Sequence, residues 1–159
     1  MLEPAQIERM LVAERLQVME QLWPETGAIS RRILSQTSTA LFRGDHLFSA
    51  KSSGELVCIE ASTGEQVWKT DKVTDLRNGA SIHLTPNGDS VFLYNDRGEL
   101  IRAQLTAHGY KELGRVALLE PTYPFSGRKC AWTPPAYANR HVFVRSGKEL
   151  VCASLAAKL

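Results

Sequence analysis

A helix that crosses a bilayer needs roughly 18 to 20 consecutive apolar residues, and the 159-residue sequence has no such run. Nor does it open like an exported chain. Glu3, Glu8 and Glu14 interrupt every early apolar stretch and no basic segment precedes one, so the sequence taken by itself points to the cytoplasm. Charge of one sign is missing too: 19 basic side chains face 17 acidic ones for a net +2, and only Arg31-Arg32 and Arg128-Lys129 are adjacent cationic pairs. That excludes the clustered basic surface on which nucleic-acid binding depends. Cysteine is scarce. Cys58, Cys130 and Cys152 are too far apart for a metal-ligand pattern, and an odd number leaves at least one thiol unpaired, so they read as small buried hydrophobes.

What is present is the composition of an ordinary folded domain, 43% hydrophobic and 23% charged. The N-terminus differs from the rest. Ile7, Met10, Leu11, Val18 and Leu22 recur at helical spacing, Pro4 suits a first turn and Trp23-Pro24 suits a stop, which predicts an amphipathic helix over residues 4–22 within an N-terminal segment and linker, 1–28. Its polar face mixes Glu, Arg and Gln, which favours packing on the protein over lying on a membrane. From Ile29 onward, β-branched and apolar runs of four to six residues alternate with turns such as Arg43-Gly44-Asp45, Ser62-Thr63-Gly64, Pro86-Asn87-Gly88 and Asp96-Arg97-Gly98. The Arg43-Gly44-Asp45 tripeptide reads as turn chemistry, not as an adhesion signal.

These runs repeat. His46 to Cys58, Ser90 to Arg102 and His141 to Cys152 superpose, with Phe48, Phe92 and Phe143 coinciding, and likewise Glu55-Leu56, Glu99-Leu100 and Glu149-Leu150. The leucines are separated by 44 residues (56 to 100) and 50 residues (100 to 150), the length of one four-stranded propeller blade. The fold class is therefore all-β with an N-terminal helix: residues 29–159 form a partial β-propeller of about three four-stranded antiparallel blades, near 36–70, 80–118 and 129–155, the last lacking its outer strand.

The stretch from Leu56 to Trp68, with Ala61-Ser62-Thr63-Gly64 as its turn, resembles the repeat of the pyrroloquinoline-quinone-type β-propellers. The resemblance implies that Ala61, Thr63 and Gly64 shape the turn between third and fourth strands and that Trp68 docks onto the next blade. Thr63-Gly64 also gives a tight reversal on physical grounds, and Trp68 is a large plate suited to bridging two sheets. The second copy is degraded, His108-Gly109 standing for Thr63-Gly64 and Leu113 for Trp68, and Trp132 to Arg145 resembles the last blades of uncharacterised bacterial members. Catalytic members of the wider family stack the quinone on an adjacent-cysteine disulfide and hold calcium. With no adjacent cysteines and no carboxylate cluster here, pyrroloquinoline quinone with calcium is disfavoured as a cofactor and no catalytic or metal residue is expected. The non-catalytic branch binds other proteins, so the expected function is a protein-interaction or scaffold module; the alternative is a fragment of a quinone-dependent oxidoreductase whose cofactor site needs further blades. The family is normally exported, so a periplasmic or exported location follows if the N-terminus is truncated relative to it.

A rim where the connections between blades meet the second-to-third-strand turns is the candidate binding surface, with Arg77, Asn95, Asp96, Arg97 and Arg128 on it and His83 on a first strand facing the central channel. An open stack of three blades also leaves outer faces to cover, with Leu47, Val57, Val142 and Val151 at risk of exposure. The N-terminal helix as a cap, association of two chains into a homodimeric ring, a protein partner, or strand pairing by residues 29–34 would each supply the cover.

Overall fold

The computed structural model describes residues 34–156; the expected helix over 4–22 lies outside the described residues. Strands β1 (Leu41–Arg43), β2 (His46–Ala50), β3 (Leu56–Glu60) and β4 (Gln66–Thr70) form one antiparallel sheet in sequence order. Strands β5 (Ile82–Asn87), β6 (Ser90–Asn95), β7 (Glu99–Thr106) and β8 (Gly109–Ala117) form a second with the same order. A short hairpin, β9 (Tyr123–Phe125) with β10 (Arg128–Cys130), precedes a three-stranded sheet of β11 (Ala136–Ala138), β12 (His141–Arg145) and β13 (Leu150–Ser154). The three sheets are the blades. The segment expected as one strand over 129–138 is split, because Pro134-Pro135 removes two backbone donors between β10 and β11.

Third strands sit between neighbours, which is why they are apolar at consecutive positions: Leu56, Val57, Cys58 and Ile59 are all buried. Phe48, Leu56 and Cys58 pack towards the second blade, into one core with Val91, Leu93, Ile101 and Ala103. Leu47, Val57 and Ile59 point the other way and pack with Leu34 and Ala40. Leu34 thus lies against the far side of the first blade, at the opposite end of the stack from β13. A second seam joins Tyr94 and Leu100 of the second blade to Val142 and Val144 of the third.

Of the residues expected at risk of exposure, Leu47, Val57 and Val142 are buried and Val151 is half-buried. Val142 and Val151 face inwards, so the uncovered side of the third blade carries the alternate positions: Leu150 is 71% exposed, Cys152 is exposed, and Phe143 is half-buried.

Two glycines explain how blades join. A Cβ on Gly54 would lie 2.2 Å from the Asp75 carbonyl oxygen, and one on Gly98 would lie 2.3 Å from that of Leu119. In both blades the second-to-third-strand turn is pressed against the chain leaving that blade, at a distance only glycine allows, and both glycines have positive φ.

Third and fourth strands slip by one residue at the same place in each complete blade, between Cys58 and Ile59 and between Arg102 and Ala103. The slip changes one equivalence. Trp68 pairs with Cys58 and Gly114 pairs with Arg102, so Gly114, not Leu113, occupies the tryptophan position; Leu113 matches the bulged Val67. Trp68 itself packs 5.8 Å from Phe48 and its Nε1–H donates to the Thr106 carbonyl at 2.8 Å, tying the first blade to the second. Trp68→Ala is expected to lower stability by about 3 kcal/mol in urea unfolding, the lower end for a large aromatic because the ring is half-buried; an unchanged midpoint would show that this contact does not hold the blades together.

Candidate functional site

The rim is built by β-turn chemistry. After β6 the chain reverses through Asn95-Asp96-Arg97-Gly98, where Asn95 Oδ1 accepts from the backbone N–H groups of Arg97 and Glu99 at 3.1 and 3.0 Å. Its amide Nδ2 donates to the Val73 carbonyl at 2.8 Å and to Glu99 Oε2 at 2.7 Å. Asn95 is fully buried and its amide is committed to shaping the turn.

Asp96 is also fully buried. Its carboxylate accepts from Thr74 Oγ1 at 2.5 Å on the connection between first and second blades, and from Arg128 Nη1 on the hairpin before the third blade. Its backbone N–H donates to the Ser81 carbonyl at 3.1 Å, and its carbonyl accepts from Ala131 at 2.8 Å. One residue thus ties together both connections and the start of β5. A buried carboxylate is tolerable only with such compensation. Of the other expected rim residues, Arg97 bridges to Asp75 at 3.0 Å and Arg77 is exposed on the connection between the first two blades.

His83 lies on β5, the first strand of its blade, and is buried. Its Nε2 is within 3.2 Å of Ser81 Oγ and 3.1 Å of the Trp132 carbonyl. Burial lowers its pKa, the Trp132 carbonyl opposing in part. Two of the three cysteines are buried as expected, and burial pushes the Cys58 thiol up to about 11 and raises that of Cys130, whereas Cys152 is exposed because it lies on the outward face of the third blade. Among the described residues, no three His, Cys, Asp or Glu side chains gather where a metal could sit. The rim as built fits a quinone–calcium pair poorly, since Asp96 is taken by Arg128 and Thr74 and the three cysteines are unpaired.

What the motifs did not reveal is a cavity of about 560 Å³ beside this junction, walled by Tyr123, Trp132, Arg145, Ser146 and Lys148 among others. Trp132 organises it. The ring lies 5.2 Å from Tyr123 and 4.6 Å edge-on from Phe125, and its Nε1–H donates to the Gly79 carbonyl at 3.1 Å. The available signal was the aromatic density of Tyr123, Phe125 and Trp132 within ten residues.

Stacked antiparallel blades joined by such junctions define a partial β-propeller built of pyrroloquinoline-quinone-like repeats. A family model described as outer membrane protein assembly factor BamB matches residues 17–153, and the chain belongs to that family. No curated protein matches the sequence. Among solved structures, BamB from Moraxella catarrhalis aligns with a TM-score of 0.51 at 17% identity, over 75% of this chain and 31% of that one. The computationally designed Ika4 protein aligns at 0.51 and 14% identity over 87% and 74% of the two chains. Quinohemoprotein alcohol dehydrogenase from Comamonas testosteroni aligns at 0.45 and 16% identity over 72% and 18%. The chain spans about a third of the length of the Moraxella BamB structure.

Two outcomes are expected at this site. Arg128→Met strands the Asp96 carboxylate in the interior and lowers stability by about 3 to 5 kcal/mol; adding Asp96→Asn recovers part of that loss in chemical unfolding, and no recovery would show that the pair does not interact. Because folding lowers the His83 pKa, the unfolded chain binds the extra proton first, so stability is complete above the ordinary imidazole value of 6.5 and falls as pH drops through it towards the lower folded value. Melting temperatures of wild type and His83→Gln, measured from pH 7.5 to 5, are expected to converge at the acid end; parallel curves would contradict a buried neutral imidazole.

Proposed function

We propose that the chain is a non-catalytic protein-interaction module that works without a quinone. The observation that carries this reading is the third blade. Its sheet ends at β13 with no fourth strand among the described residues, and its outward face presents Leu150, Cys152 and Phe143. An unpaired strand edge beside exposed apolar side chains is a surface that associates. The cleft at Trp132, with Arg145 and Lys148 on its wall, adjoins this sheet through β12 and the turn after it, and adds aromatic area and positive charge of the kind that anchors interfaces. Membership of a family described as an assembly factor supports the same reading.

The partner is a second copy of the chain or another protein, and one pair of measurements separates them. Light scattering after size exclusion reads the solution mass: twice 17.7 kDa supports a homodimer, and a monomer directs attention to a different partner. A photo-crosslinking residue at position 150 in the producing cell is expected to give a discrete adduct, whereas one at exposed Val67 on the first blade is not. Adducts at neither position, with a monomeric mass, would overturn the interaction reading. Uptake of pyrroloquinoline quinone with calcium, seen as bound absorbance, would replace it with the oxidoreductase alternative.

A further inference from the structure

The two seams between blades occupy equivalent places in successive repeats, yet their outer ends differ. In the first, Phe48, Cys58 and Trp68 pack with Leu41 and Tyr110, and the Trp68 indole closes the gap. In the second, Phe92 keeps the place of Phe48, but Arg102 stands where Cys58 does and Gly114 where Trp68 does. A Cβ added at Gly114 would meet nothing within 4 Å. The unplugged seam holds a cavity of about 390 Å³ lined by Asn87, Phe92, Arg102, Arg140 and Leu155. A place that is apolar and filled in one repeat is cationic and hollow in the next.

The backbone points the same way. Asn139 and Arg140 form the turn between β11 and β12 with φ of +49° and +61°. Asparagine tolerates that region, but arginine is strained there, and glycine would sit without cost. The two-residue turn requires that conformation, and an arginine kept there against the strain places a second cationic residue on the cavity wall. Among the described residues neither Arg102 nor Arg140 enters an ion pair, and Ser90 Oγ, 3.1 Å from Arg102 Nε, is the one side-chain hydrogen-bond partner of either.

We propose that the outer seam between the second and third blades binds a small phosphate-bearing ligand. Two guanidinium groups sharing no carboxylate match the double charge and several acceptor oxygens of a phosphomonoester. Phe92, stacked on Tyr137 with centroids 5.7 Å apart, offers an apolar wall to the ester group. The Asn87 side chain adds a neutral hydrogen-bonding group at the edge.

The full chain titrated with phenyl phosphate at constant ionic strength, followed by calorimetry and phosphorus NMR, tests this. Saturable binding is expected, weaker for inorganic phosphate, which lacks the ring, and weaker for benzoate, which carries a single charge. Arg102→Gln and Arg140→Gly each lower affinity about ten-fold or more, the effect of losing one charge-assisted contact. Arg140→Gly relieves the positive φ, so its melting temperature does not fall and lost binding cannot be ascribed to unfolding. Gly114→Trp restores the plug seen in the first seam and blocks binding. No saturable binding by the wild type, or equal affinity in wild type, Arg140→Gly and Gly114→Trp, overturns the site. Benzoate binding as tightly as phenyl phosphate overturns the assignment to phosphate.

Discussion

The blades are held in place by a buried carboxylate. Asp96 meets Thr74 from the connection that precedes its blade and Arg128 from the connection that follows it, and its own backbone bonds to Ser81 and Ala131. Each sheet has its own ladder of hydrogen bonds, but sheets stacked face to face by apolar contact alone can slide and rotate. A directional polar junction at one end removes that freedom, and its low-dielectric setting makes every member indispensable to the others. The close approach of Gly98 to the Leu119 carbonyl belongs to the same arrangement, since a side chain there would push the turn away from the outgoing chain.

From that end outwards, the two seams diverge. The first is sealed along its length by Phe48 and Trp68, and the second only as far as Phe92 and Tyr137. The difference rests on one pair of cross-strand partners, Cys58 with Trp68 against Arg102 with Gly114. Replacing a thiol and an indole by a guanidinium and a hydrogen atom converts packing volume into an open, charged cavity. The two repeats share one frame, and the different pair of side chains at this place leaves a cavity in the second seam where the first is packed.

The third blade has no neighbour beyond it among the described residues, and its alternation shows the consequence. Val142 and Val144 turn inward and are buried, while Leu150 and Cys152 turn outward and are exposed. The first blade is different: Leu47, Val57 and Ile59 on its far side are buried. Among the described residues the stack is therefore asymmetric, its exposed apolar side chains lying on the β13 sheet, and this polarity underlies the proposed interaction.

Much of this was legible in the sequence because strands have a period of two and the blades recur at 44 and 50 residues. The repeat located Phe48, Phe92 and Phe143 and the turn glycines, and the consecutive apolar residues 56–59 announced a sheet covered on both sides. Sequence also marked Asn95, Asp96 and Arg128, though as rim residues, whereas folding buries Asn95 and Asp96 and spends their polar groups internally. Counting along the chain set Leu113 against Trp68; only the pairing of strands, with its one-residue slip, put Gly114 there. Local pattern determines which residues can form a strand or a turn, because those choices rest on neighbouring dihedrals and side-chain alternation. Register, burial and the placing of Arg102 and Arg140 on one cavity were decided by tertiary structure, because they depend on contacts between segments whose separation in sequence carries no signal of their proximity.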